Sequence, residues 1–315
     1  MRIVFFGSDD FAATNLERLI RDQYEIAAVV TQPDRARGRG MNISLLPVKM
    51  LALEQNIPVL QPENLGGEDI RESLRAFGAD VFVVIAYGLF LPKAVLDIPK
   101  KFCLNVHGSL LPQYRGAAPV NWAILYGQKQ TGVSVIRMNE RMDAGDVMVR
   151  KSLPIDPQIN AQDLKEGLAK LGAEALIEAL KAVENGSVCF EPQDEKKASF
   201  APKLERELGR IDWTASAMVI HNQVRGLVPW PGAFTGFKGK RLKVLETSVF
   251  DEHSADRPQP GRVVRTLPEG IVVSCGRGQV LIKRLQLESS KPMDARSFCV
   301  GHQLKAGEAF SSDVI

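Results

Sequence analysis

The chain has 315 residues, 45% of them hydrophobic and 24% charged, a composition that supplies a packed core and excludes disorder as the main state. Its net charge of +3 is too small by itself to identify a polyanionic partner. Residues 205–315, however, hold 16 Lys and Arg against 12 Asp and Glu, so the excess lies in the C-terminal third. No apolar run approaches the roughly 20 residues of a membrane-crossing helix, and the opening apolar stretch ends within a few residues at Gly7, too early for a secretory signal; a cytoplasmic protein without membrane association is expected. Cys103, Cys189, Cys275 and Cys299 lack C-x-x-C spacing and do not cluster with the histidines, so neither a metal site nor a disulfide framework is expected.

In chain order, Arg2–Gly7 reads as a short apolar strand, followed by a helix with Phe11, Leu16, Leu19 and Ile20 close to one face. Residues 25–31 form a second strand, 45–55 and 69–77 two helices, and 81–86 a third strand. That last run is continuously apolar rather than alternating, the pattern of a strand covered on both faces. Residues 102–106 and 133–138 add two strands, and 161–184 is the longest helix, stopped at Asn185-Gly186. Strands alternating with helices predict an α/β domain with a mainly parallel sheet. Residues 191–204 are polar, carry prolines and show no periodicity, as an interdomain linker does. After one helix at 215–227 come five strands, at 233–237, 241–249, 261–265, 270–274 and 279–288, with short turns and no crossover helices. They predict a small antiparallel β-barrel. The layout is therefore a domain over 1–188, a linker over 189–204 and a second domain over 205–311.

The segment Asn105-Val-His107-Gly-Ser109-Leu110-Leu111-Pro112 carries the strongest chemical signal. Asn105 and His107 are two apart, so on a strand they face the same side. They sit near its C-terminal end, where open α/β sheets place their ligands. An amide and an imidazole aimed at one spot can hydrogen-bond a developing oxyanion and handle a proton; the ordinary alternative is a satisfied, half-buried histidine. Asp143, in Met142-Asp143-Ala-Gly145-Asp146, follows the 133–138 strand and could orient that ring, or simply cap a turn. Gly7-Ser-Asp-Asp10 lacks the three glycines of a dinucleotide fingerprint, and its acids would repel a pyrophosphate, which disfavours a nicotinamide cofactor. Two basic, glycine-bearing loops remain. One carries Arg35, Arg37 and Arg39 within residues 34–41; the other carries Lys238, Lys240 and Lys243 on a hairpin. Each alone is ordinarily a solvated loop, but one per domain suits a long anionic partner. Trp213 and the Trp230-Pro-Gly232 segment read as core or interface aromatics.

Taken together, Asn105-x-His107, Ser109–Pro112, Arg115-Gly116 and Asp143-x-Gly145 resemble the 10-formyltetrahydrofolate-dependent transformylase family. The resemblance is closest to its branch acting on initiator methionyl-tRNA, through V-F-F-G-S-D-D-F at the start, T-Q-P-D-R with G-R-G near 31–40, A-Y-G-L-F-L-P at 86–92 and R-G-L-x-P-W-P-G at 225–232. It departs at Ser8-Asp9, where members more often carry Thr-Pro, which bears on local loop geometry.

The resemblance implies a Rossmann-like first domain and an OB-like second one. It implies transfer of the formyl group of 10-formyltetrahydrofolate to the methionyl α-amine, for translation initiation, by a monomer needing no metal. In that scheme Ser109, Leu110, Leu111 and Pro112 shape the folate pocket with the main chain of Ala86, Tyr87, Gly88 and Leu89. Asn105 and protonated His107 stabilise the tetrahedral oxyanion, and Asp143 holds the ring and helps move the amine proton towards N10. Arg35, Arg37 and above all Arg39 reach the acceptor end of the tRNA, and Lys238, Lys240 and Lys243 dock it. The rival readings are a transformylase for glycinamide ribonucleotide or an amino sugar, and an RNA-binding module without catalysis.

Overall fold

The computed structural model describes residues 1–34, 45–254 and 259–312, with the backbone alone of 36–37 and 42–43. It divides into two compact units. One comprises Met1–Pro119, Gln130–Pro154 and Lys165–Ala201; the other comprises Val120–Lys129, Ile155–Leu164 and Pro202–Ile315.

The first unit contains strands β1 Arg2–Gly7, β2 Glu25–Val30, the two-residue pair β3 Ala36–Arg37 and β4 Asn42–Ile43, β5 Val59–Leu60, β6 Val81–Ile85, β7 Phe102–His107, β8 Arg115–Gly116, β9 Gln130–Arg137, β10 Val147–Pro154 and β11 Phe200–Ala201. Seven of them form one sheet in the order β10-β9-β7-β6-β1-β2-β5, parallel except that β9 runs against both its neighbours. The predicted mainly parallel sheet is thus present. All five residues of β6 are buried, as are Ile3–Phe6 of β1 and Ala27–Val30 of β2, which is why these strands read as unbroken apolar runs. Helices α1 Asp10–Arg21, α2 Pro47–Glu54, α3 Glu68–Ala76 and α4 Lys93–Leu96 accompany the strands. Asp9 is the N-cap of α1: its carboxylate accepts from the Ala12 N–H at 3.1 Å, so the acidic pair after Gly7 caps a helix.

The chain leaves β1 towards β2 and β5, then returns to β6 on the other side of β1. The switch point therefore falls between β1 and β6, and the loops after β1, β2, β6 and β7 share the C-terminal edge where such sheets bind ligands. One predicted boundary differs. Residues 191–201 are built into the first unit: Val147 and Glu191 exchange both backbone hydrogen bonds at 2.8 Å, and β11 pairs with β8. Their side chains show no apolar pattern because backbone pairing and polar contacts hold them.

The second unit contains α5 Pro119–Leu125 (from Val120 on), α7 Ala217–Gly226, strands β12 Ala233–Phe237, β13 Lys240–Asp251, β14 Val263–Leu267, β15 Gly270–Ser274, β16 Gln279–Leu287 and β17 Met293–Asp294, and α8 Ala295–His302. α6, Ala161–Asn185, starts in this unit and continues in the first. The strands form one antiparallel sheet, β12-β13-β16-β15-β14, with β17 added to β16. Its two edges do not pair directly. Residues 307–311 bond to both: Gly307 and Glu308 to Val263, Phe310 to Gly261, and Ser311 to Gly236 on β12. The C-terminal segment thereby closes the sheet into the predicted barrel-like form, covering edges that would otherwise invite pairing. Trp213 lies in the core, its indole N–H donating to Thr235 Oγ1 at 2.9 Å, whereas Trp230 is exposed.

Candidate functional site

The site grows from the C-terminal ends of β1, β6 and β7. Ser8 is buried after β1, and its hydroxyl accepts from the Gln32 N–H at 3.3 Å and lies 3.4 Å from the Tyr87 carbonyl. Gln32 Nε2 donates to that same carbonyl at 2.8 Å. These bonds tie the loops after β1, β2 and β6 together. Within the β6 loop, Ala86 and Gly88 adopt left-handed backbone conformations, φ 45° and 82°, and both are exposed, whereas the Tyr87 side chain turns into the core against Phe6. Among the described residues its buried hydroxyl has no hydrogen-bond partner, and burial pushes the phenol up to about 12, so it stays neutral. Leu89 packs against the same core cluster. What this loop offers a ligand is main chain.

Asn105 and His107 lie on the same side of β7, and Leu104 and Val106, both buried, on the other. The His107 ring is only 7% exposed. Its Nε2 lies 2.9 Å from the Tyr114 carbonyl, and its Nδ1 3.6 Å from Asp143 Oδ1. A carbonyl only accepts, so Nε2 carries a proton. Nδ1 meets the carboxylate favourably when it too is protonated, and at 3.6 Å it is not committed to a hydrogen bond.

Asp143 sits at φ 51°, a left-handed conformation unusual for a residue with a side chain. Its Oδ2 accepts from the Gly116 N–H at 2.8 Å. Gly145 fixes the same turn: a Cβ there would lie 1.8 Å from the Arg137 carbonyl oxygen, so only glycine permits this approach. Of the sequence-predicted trio, Asp143 is brought to His107 by a turn after β9 that reaches back to β8, and Asn105 shares the His107 side of β7 by strand alternation.

The Ser109–Pro112 segment is held by the sheet. Ser134 on β9 donates to the Ser109 carbonyl at 2.8 Å and accepts from the Leu111 N–H at 3.0 Å. Ser109 Oγ donates to the Gln113 carbonyl, and Leu111 packs on Ile136 and Val147. Leu110 lies over Gly132, and the Leu111–Pro112 peptide is cis. Ser109 and Leu111 are buried, so these two residues shape the loop and do not present their side chains outward.

Lys238, Lys240 and Lys243 are exposed around the β12–β13 hairpin. Its two-residue loop, Lys238-Gly239, has φ of 47° and 75°, the primed turn that matches strand twist. Lys238 is paired with Glu308 at 3.0 Å; among the described residues Lys240 and Lys243 have no such partner. Arg35 and Arg39 lie outside the described residues, as does the side chain of Arg37. Sequence reasoning did not single out Gln193 or Glu195, which pair with Arg115 behind the Asp143 turn. Their signal was masked by the linker-like composition around them. Among the described residues no group of three or more His, Cys, Asp and Glu side chains could hold a metal ion, and no helix is long and apolar enough to cross a membrane.

The family model described as formyl transferase matches residues 1–180, and that described as formyl transferase, C-terminal domain, matches residues 203–303. A methionyl-tRNA formyltransferase of Acetivibrio thermocellus is 45% identical over 98% of this chain and 99% of its own length. One from Geobacter sulfurreducens is 43% identical over 98% and 96%. Among solved structures, HypX from Aquifex aeolicus in complex with tetrahydrofolic acid aligns at TM-score 0.65 and 20% identity. It matches 95% of this chain, which spans about half of that longer protein, 47%. WlaRD, a sugar 3N-formyl transferase, aligns at TM-score 0.67 and 17% identity over 92% of this chain and 99% of its own. These two likenesses speak for the fold. On the full-length identity and the matches to both domains, the chain belongs to the formyl transferase family, in its methionyl-tRNA formyltransferase branch.

Proposed function

We propose that this chain transfers the formyl group of 10-formyltetrahydrofolate to the α-amine of methionine on initiator methionyl-tRNA, a cytoplasmic step preparing that tRNA for translation initiation. The observation that carries the reading is the His107–Asp143 pair beside Asn105 on the C-terminal edge of a parallel sheet, in a chain whose full length follows the methionyl-tRNA formyltransferases. Two fold neighbours, HypX in complex with tetrahydrofolic acid and WlaRD in the presence of 5-N-formyl-THF, support a reduced folate as formyl donor.

The exposed main chain at Ala86 and Gly88 fits such a donor, since a pterin edge needs in-plane donors and acceptors, which backbone supplies. The folate supplies an activated one-carbon unit. The protein's part is electrostatic and acid–base. In this reading the Asn105 amide and His107 Nδ1, the ring atom not engaged by Tyr114, donate to negative charge growing on the formyl oxygen. Asp143 faces and orients the imidazole, and in this reading its carboxylate relays the proton lost by the attacking amine to N10 of the departing folate as the bond from N10 to the formyl carbon breaks. Arg35, Arg37, Arg39 and the hairpin lysines supply positive charge for the tRNA backbone. No metal is required by this scheme, and one copy of the chain carries the whole trio.

The test offers the purified protein 10-formyltetrahydrofolate with either charged methionyl-tRNA or a nucleotide-linked amino sugar. Formyl-methionyl-tRNA is expected. Formylation of the sugar alone would replace this reading by the sugar transformylase one.

A further inference from the structure

Asp143 holds a left-handed backbone conformation that a residue with a side chain rarely adopts unless its surroundings impose it. The group that imposes it comes from residues 189–204, the segment whose sequence reads as a linker. The Gln193 side-chain amide donates one N–H to the Asp143 carbonyl at 2.8 Å and the other to the Gly145 carbonyl at 2.7 Å. Its oxygen accepts from Arg115 Nε at 3.1 Å and Nη2 at 2.8 Å. Every hydrogen-bonding position of the amide is thereby filled. Arg115 is buried, and its guanidinium is braced from behind by a two-pronged contact with Glu195, at 2.9 and 3.2 Å. Beside it in the chain, the Gly116 N–H donates to the Asp143 carboxylate.

These bonds form a closed ring. Asp143 is held at its carboxylate by Gly116 and at its carbonyl by Gln193, and Gln193 is held by the side chain of Arg115, the residue preceding Gly116. All of these residues belong to the first unit. We infer that Gln193 is a positioning residue for the reaction, fixing the backbone of the Asp143 turn so that the carboxylate faces the His107 ring. The inference rests on the role given above to Asp143. Among the described residues the Gln193 side chain hydrogen-bonds to Asp143, Gly145 and Arg115, so it acts through Asp143.

Two substitutions separate the halves of the clamp. Gln193→Glu can still accept from Arg115 but cannot donate to the two carbonyls. Gln193→Leu removes both functions. Each is expected to lower the single-turnover rate of formyl transfer by about 10- to 100-fold, the scale set by a small misplacement of a catalytic group. Tetrahydrofolate affinity should stay within about twofold, because the clamp lies behind the turn and not at the β6 loop. In an Asp143→Ala background neither substitution should lower the rate further, since residues acting as a unit are not additive. A folded Gln193→Glu protein, judged by its melting curve, that transfers formyl within twofold of wild type would overturn the inference. So would a multiplicative loss on top of Asp143→Ala, which marks a general structural role. A wild-type rate in Asp143→Ala alone would overturn the site reading beneath it, a result kept separate because that variant leaves Gln193 intact.

Discussion

At the scale of single residues, the three proposed catalytic side chains differ in how deeply the fold depends on them. Asn105 is half-buried, and among the described residues no hydrogen bond of its side chain holds the sheet. His107 is 7% exposed and donates to the Tyr114 carbonyl, so it also pins the loop after β7. Removing one donor to a developing oxyanion costs on the order of 10²–10³ in turnover. Alanine at Asn105 or His107 is therefore expected to lower the single-turnover rate by that order, and alanine at Asp143, which removes the acid–base group, by about 10²–10⁴. The variants should differ in stability. His107→Ala removes the hydrogen bond to the Tyr114 carbonyl and should lose about 0.5–1.5 kcal/mol, whereas Asn105→Ala should melt close to wild type. Denaturant titration beside rate measurement checks both. Equal stability loss in the two variants would show that the Tyr114 contact is not a structural one.

At the scale of elements, the hairpin between β12 and β13 and the strand β10 show opposite relations between pattern and role. The hairpin's Lys-Gly loop and flanking alternation made it legible, and its exposed lysines follow directly from which face packs on the core: Leu242 and Val244 point inward and Lys243 outward. The structure adds that Lys238 is already matched by Glu308. Neutralising Lys240 and Lys243 should therefore flatten the salt dependence of tRNA binding by up to about one unit of log–log slope each, and neutralising Lys238 should flatten it less. Binding measured across a salt series, with folate affinity as the control, decides this; equal effects of all three would mean that the Glu308 pairing does not persist on the nucleic acid. Strand β10 went unread because it is the half-exposed edge of the sheet, with Lys, Arg and a closing Pro in place of an apolar run. The segment after it, 191–201, went unread for a related reason: its contributions to the sheet and to the Asp143 turn are made by backbone and amide groups, which leave no hydrophobic period.

At the scale of the whole molecule, the second unit contains a buried titratable group that links its stability to pH. His221 is 3% exposed, with Thr247 Oγ1 and the Pro157 carbonyl each 3.0 Å from a ring nitrogen. Burial lowers its pKa below 6.5, and the charges of Arg225 and Lys283 lower it further against the opposing Pro157 carbonyl. Below pH 6.5 the unfolded chain therefore takes up a proton that the folded chain refuses, so stability should fall as pH drops through that value towards the folded pKa. Carboxylates such as Asp212 and Glu308, held low by hydrogen bonds, lose their contribution only in a more acidic range. All three tryptophans, Trp122, Trp213 and Trp230, belong to this unit, so tryptophan fluorescence follows its unfolding. Denaturant midpoints between pH 5 and 7 should decline for the wild type and flatten for His221→Gln; a wild-type midpoint constant over that range would sink the linkage.

The sequence by itself determined the two-part architecture and the parallel character of the first sheet, because burial on both faces writes continuous apolar runs, and it put Asn105 and His107 on one side of a strand, because two residues two apart must face one way. Only the tertiary structure decided that Asp143 stands beside His107, that residues 307–311 close the second sheet, and that a linker-like stretch clamps the Asp143 turn. Those relations are made by backbone carbonyls, backbone N–H groups and one side-chain amide across long sequence separations. Every residue carries the same backbone groups, so no pattern of side chains records where they pair.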